Sequence, residues 1–286
     1  MYKKFIQILR FTKSLIGFNF KQYLRFRRNF SGIGKRQKFI ITAVSSSLIL
    51  FLAQHLLGSQ TFYIAFFLAF FSVFLLFWSV YKDLRNNNSL QVFILPFFYS
   101  LAFALFYPLV PERLLVRIVM TAIYGFGLYS LLLSMNIFVV SSIRTIALVS
   151  SARTVSFIAT ILSYFFIVNV IFSMHLNGFL TLLFVFGFSF PFVLHSLWAH
   201  SLESRFFSNL LWVFSISLCL AEIAFILWFW SVLPTIIALF LTGFFYITVG
   251  ISQVWLDRRL FKSIMWEYIW VGSLVFILFI VFAFKR

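Results

Sequence analysis

Long apolar runs alternate with short polar breaks along this chain, and one run shows what a break inside hydrocarbon means. Leu211 to Trp230 reads LWVFSISLCLAEIAFILWFW, an apolar stretch with one carboxylate, Glu222, at its middle. A helix needs about 20 apolar residues to cross the hydrocarbon of a bilayer. The pattern predicts nine such spans, at 39–58, 61–81, 90–110, 114–134, 154–173, 176–198, 207–230, 231–255 and 267–284. Each must be helical, because lipid offers no partner to open backbone N–H and C=O groups. Residues 135–153 (MNIFVVSSIRTIALVSSAR) are too polar to span easily and too apolar for a free loop. They read as an interfacial helix leading into the fifth span. The predicted fold class is all-α: a polytopic transmembrane helix bundle at 39–284, of about nine spans, with an amphipathic N-terminal arm at 1–38. An odd span count argues against a simple two-fold inverted repeat, the plan of many transporters.

The polar positions between the runs carry an orientation. With the N-terminus inside, the inner segments are 1–38, 82–89, 135–153, 199–206 and 256–266, and they hold 19 of the 23 Lys and Arg residues. The other four are Arg113, Arg117, Lys285 and Arg286, outside or at the outer ends of spans. This is the positive-inside asymmetry of a chain with its N-terminus cytoplasmic and its C-terminus outside. The arm holds 11 of those 23 basic residues, and the first acidic residue is Asp83. Its positive region is too long for a cleavable signal peptide, and no small-residue cleavage pattern follows the first span. Met1 to Ile16 has helical amphipathicity, with Lys3, Arg10 and Lys13 opposite Phe5, Ile8, Leu9, Phe11, Leu15 and Ile16; Lys21, Arg25 and Arg28 recur at i, i+4, i+7. Such a helix lies on a membrane surface and meets anionic lipid headgroups, each basic residue contributing roughly 1 kcal/mol. A plain topology-fixing tail has the same composition.

Composition narrows the solvent. Of 286 residues 63% are apolar and 10% charged, and 45 are Phe, whereas a soluble domain carries about 25% charged residues. The net charge of +17 does not point to nucleic acid, because its concentration in the arm suits a lipid surface better and no nucleic-acid motif is present. One cysteine, Cys219, excludes an internal disulfide framework and a Cys-rich metal site.

Candidate chemistry comes down to a few intramembrane polar groups. A charged residue at a helix centre costs roughly 2.5–3.5 kcal/mol on the insertion scale for Asp, Lys or Arg, so such a group stays neutral or faces a partner inside the bundle. Ser208, Ser215, Cys219 and Glu222 form one stripe of the seventh span, which predicts that this stripe looks inward. The partners expected at its depth are Arg117, Thr242, Asn169 and His55, with Thr235, Tyr246 and Gln253 on the stripe that carries Thr242. The fifth span carries Ala152, Ser156, Ala159 and Ser163 at i, i+4, i+7, i+11, a spacing of small residues that lets two helices pack closely. Gly187 and Pro191 predict a kink in the sixth span. Arg144, Arg153, His195, His200, Glu203 and Arg205 can gather at the inner membrane face, as phosphate-headgroup ligands or as ordinary loop charges. No H-E-x-x-H, G-x-S-x-G, P-loop or dinucleotide fingerprint occurs, and no histidine has a second histidine or a cysteine at i+3 or i+4. No metal or cofactor is expected.

The block NIFVVSSIRTIALVSSARTVSFIATIL (136–162), with YGFGLYSLLLS before it, resembles uncharacterised multi-pass membrane proteins of candidate-phylum bacteria. The resemblance implies a bacterial inner-membrane protein and carries no activity. The reading that follows is a non-enzymatic membrane scaffold or accessory component, with the bilayer, anionic headgroups and other membrane proteins as partners. Two alternatives stay open: a small-solute or proton-coupled transporter using Glu222, and a lipid-modifying enzyme.

Overall fold

The computed structural model describes residues 34–56, 61–84, 90–141, 148–202, 210–230, 232–256 and 261–284. Among them the fold is all helical. The helices are α1 (Lys35–Leu56), α2 (Thr61–Leu84), α3 (Ile94–Phe106), α4 (Leu114–Ser141), α5 (Val149–Ser173), α6 (Gly178–Ser201), α7 (Leu210–Trp228), α8 (Pro234–Leu256) and α9 (Lys262–Phe284). Short 3-10 turns at Leu90–Phe93 and Tyr107–Leu109 flank α3. The described residues hold nine helical segments long and apolar enough to cross a bilayer, and the chain is that of a multi-pass integral membrane protein. Lys3, Arg10, Lys13, Lys21, Arg25 and Arg28 lie outside the described residues.

Residues 135–153 depart from the expected interfacial helix. α4 continues without a break to Ser141, and α5 starts at Val149. Two serine hydroxyls at the end of α4 are handled locally. Ser134 and Ser141 hydroxyls donate back to the Ser130 and Phe138 carbonyls, which removes the penalty of an unmet hydroxyl in an apolar medium. α1 likewise starts at Lys35, inside the expected arm, and α9 at Lys262, ahead of the expected 267.

Helices consecutive in the chain run antiparallel, and side-chain contacts fix their register. Lys38 lies 4.6 Å from the Trp78 ring centroid, joining the start of α1 to the end of α2. The Tyr124 hydroxyl donates to Ser100 Oγ at 3.0 Å between α4 and α3. Every helix therefore has one end on the side where α1 starts, called here the proximal side, and the other on the distal side. α5 is the hub and packs on α3, α4, α6 and α8. Of its most apolar stretch 67% of residues are buried, against 6% for α9, which sits at the rim on α8.

The interior is aromatic. Tyr99, Phe103, Tyr124 and Phe166 stack or meet edge-on, with Tyr164 and Phe245 stacked beside Phe192. Gly127 makes room for this cluster, since any Cβ there would overlap the Tyr99 hydroxyl. α6 runs unbroken through Pro191. The Cβ position of the associated Gly187 meets nothing, so that glycine is not demanded by packing.

Candidate functional site

The polar stripe of α7 faces outward, which corrects the sequence-based expectation. Ser215, Cys219 and Glu222 are exposed, while Val213, Ile216, Ser217, Leu220, Ala221, Ala224 and Leu227 are buried. At about 100° per residue the two sets lie on opposite sides of the helix. The physical reason is packing: Ser217, Ala221 and Ala224 are small, so turning them inward lets α6 come close, and the wider polar stripe is left on the rim. Ser208 is outside the described residues.

The partners expected around Glu222 are scattered. The Arg117 guanidinium meets Glu112 at 3.5 Å and the Tyr107 ring at 5.9 Å. That pair stands at a helix start with Glu112 92% exposed, where an ion pair contributes little. Thr242 is buried and donates to the Ala238 carbonyl at 2.6 Å. The Asn169 amide donates to Thr235 Oγ1 at 3.2 Å, and Ser173 donates to Asn169 Oδ1 at 3.2 Å. His55 belongs to α1, and its side chain lies outside the described residues. Arg117, Thr242 and Asn169 make separate local bonds and do not converge.

The densest buried polar node instead surrounds His195, close to the proximal side. Its Nδ1 lies 3.1 Å from the Gln91 carbonyl oxygen, and its Nε2 lies 3.1 Å from Ser156 Oγ. A carbonyl oxygen only accepts, so Nδ1 carries a hydrogen and donates; in the neutral ring Nε2 then accepts from the Ser156 hydroxyl. α5, α6 and the 3-10 turn before α3 are joined at this one imidazole. One residue on, Ser196 ties α6 to α8: the Gln253 amide donates to its hydroxyl at 2.9 Å and to its carbonyl at 3.2 Å. Deeper in the bundle, the Tyr164 hydroxyl meets Ser189 Oγ at 3.2 Å.

A serine bonded to a histidine that a third group orients has the form of an activated nucleophile. Here both members of the pair are buried. Ser156 is 1% exposed and His195 0%, and neither residue lines the distal cavity by Trp228 and Trp230 or the groove between α1 and α4. The node ties α5, α6 and the turn before α3 together. Ala152, Ser156, Ala159 and Ser163 are all buried on α5, so Ser156 combines a small-residue position with a hydrogen bond. The pairing of Ser156 with His195 was not visible in the sequence, because 39 residues separate them and only the α5–α6 register brings them level. Of the residues expected to gather at the inner face, Arg153 and His200 are described, and Arg144, Glu203 and Arg205 are not. Among the described residues no three of His, Cys, Asp and Glu come together as a metal ion would require.

No curated protein and no solved structure matches the chain. A family model does match, over residues 77–282, from the last turns of α2 to the end of α9. With that match covering most of the bundle, the chain belongs to the family described as "Protein of unknown function (DUF5656)".

Proposed function

We propose that the protein is a non-enzymatic membrane component, a scaffold or accessory subunit, that binds a helix of a partner membrane protein on the outward face of α7. Glu222 carries this reading. Its carboxyl stands on the rim of the bundle, midway along an apolar helix. A partner helix presenting a hydrogen-bond donor at that depth relieves the cost of holding a carboxyl against acyl chains. The interior supports the same view, since Ser156, His195, Ser196, Gln253, Asn169 and Thr235 bond to one another or to backbone. A transporter built on Glu222 needs a water-accessible cavity around it, and Glu222 lines neither the distal cavity nor the α1–α4 groove. An inner-face enzyme needs an open His195, and both its nitrogens are occupied. The loop charges support the orientation, with the proximal side cytoplasmic in a bacterial inner membrane.

Cys219 supplies the test, because the lone thiol lies on the same exposed face one turn from Glu222. A short bifunctional thiol cross-linker applied to intact membranes is expected to trap one discrete larger species, and Glu222→Leu is expected to abolish it. A disulfide-linked homodimer on oxidation would make the partner a second copy. The proposal fails if Glu222→Leu leaves the cross-linked species unchanged, or if proteoliposomes show a solute flux that Glu222→Gln abolishes.

A further inference from the structure

Between α1 and α4 a groove of about 770 Å³ opens on the rim of the bundle, far from α7. Ile40, Val44 and Phe51 line one wall and Ile118, Phe126 and Tyr129 the other. From residue 40 to residue 51 a helix advances about 16 Å, close to the roughly 15 Å of one leaflet's hydrocarbon. The groove thus has the length of one acyl chain, and its walls are apolar.

Past the proximal end of the groove's lining, two polar residues continue its lines. On α1 the lining positions recur at helical spacing from Ile40 onward, and Arg36, one turn earlier on the same line, is exposed. On α4 the same line continues from Tyr129 to Asn136, seven residues on. Ser47 faces Gly125, where an added Cβ would touch its hydroxyl. Stepping eleven residues toward the proximal side along each antiparallel helix brings Arg36 level with Asn136. Asn136 Oδ1 is buried and has no hydrogen-bond partner, an arrangement that ordinarily marks a missing one.

We propose that this groove binds an anionic phospholipid, one acyl chain lying between α1 and α4 and the phosphate on Arg36. A guanidinium suits a phosphate because its N–H groups form paired, charge-assisted bonds. Asn136 serves the headgroup as well, its carboxamide accepting from a headgroup hydroxyl or, with the amide turned over, donating to an ester or phosphate oxygen. The site is independent of the α7 face and of the partner assigned to it.

The test is native mass spectrometry of the full chain, titrated with phosphatidylglycerol and with phosphatidylcholine of the same acyl chains. Both lipids carry the phosphodiester; wild type is expected to keep one phosphatidylglycerol about tenfold more tightly than phosphatidylcholine, because choline adds a cation that opposes Arg36 and lacks the headgroup hydroxyls that Asn136 accepts from. Arg36→Gln removes that preference, and Ala122→Phe, which fills the groove from an exposed position, weakens both lipids. If Ala122→Phe fails to fold by circular dichroism, Val44→Trp on the facing wall replaces it. Equal affinity for the two lipids overturns the proposal. So does a phosphatidylglycerol preference unchanged by Arg36→Gln, which would place the headgroup on the basic arm, or a dimer that Ala122→Phe dissociates.

Discussion

Glu222 and His195 are opposite cases of a polar side chain in an apolar helix. Glu222 stands on the rim with its carboxyl outward, so replacing it should help the isolated chain. Glu222→Leu is expected to favour insertion of the α7 segment by about 2–3 kcal/mol on the membrane-insertion scale, read from its insertion efficiency in a translocation assay. A fall in insertion would mean that the carboxyl is paired inside its own chain. His195 is the reverse, because it satisfies two other groups. His195→Ala leaves the Ser156 hydroxyl and the Gln91 carbonyl without their bonds and opens a cavity. A loss of about 2–4 kcal/mol is expected from those two terms, seen as a lowered thermal midpoint in detergent. Ser156→Ala removes only one bond and is expected to cost about 1 kcal/mol. If the two variants lose equal stability, the imidazole does not join three elements. The oddity of Glu222 was legible in the sequence; its direction was not, because a polar stripe and a small-residue stripe competed for the inside of α7 and packing favoured the small one. His195 read as a loop-end charge for want of its partner.

At the level of elements, α9 is held by little beyond its seam with α8. Gly243 faces Val275, and Gly250, two turns on, faces Tyr268. A Cβ at Gly243 would stand 3.2 Å from that of Val275 and one at Gly250 would stand 2.6 Å from the Tyr268 ring. The absence of a side chain at both positions lets the backbones approach. The pair is spaced at seven, so a search for glycines at i, i+4 does not find it. Gly250→Val is expected to overpack this seam by about 1–3 kcal/mol, lowering the thermal midpoint. Gly243→Cys with Val275→Cys is expected to form an intramolecular disulfide in membranes, since their Cβ atoms fall near bonding range. Failure of that bond to form would dissociate α9 from α8. α4 differs in another way: its tail through Ser141 looked too polar for a span, yet the helix runs on through it, with the Ser134 and Ser141 hydroxyls folded back on backbone carbonyls.

Over the whole molecule, the described residues hold nine helical segments long and apolar enough to cross a bilayer, and the orientation proposed from the loop charges puts the two ends of the chain on opposite sides. An N-terminal tag is expected to be shielded and a C-terminal tag exposed when intact cells are treated from outside, and tags on the same side would require an even number of spans. The family match takes in α3 to α9 and leaves α1 outside, so the α1–α4 groove draws one wall from beyond the matched region. What the sequence by itself determined is the membrane class and, among the described residues, the number of spanning helices and most of their bounds. Those depend on run length and apolar content, which are local quantities set by bilayer thickness and by the need to satisfy backbone hydrogen bonds within each span. What only the tertiary structure decided is the rotation of each helix and the company of each polar group. Lipid and protein interior are alike in polarity, so hydrophobicity around a membrane helix does not say which face is buried. Close packing of Ser217, Ala221 and Ala224, and of Gly243 and Gly250, makes that choice, and it placed Glu222 on the rim and His195 at the centre.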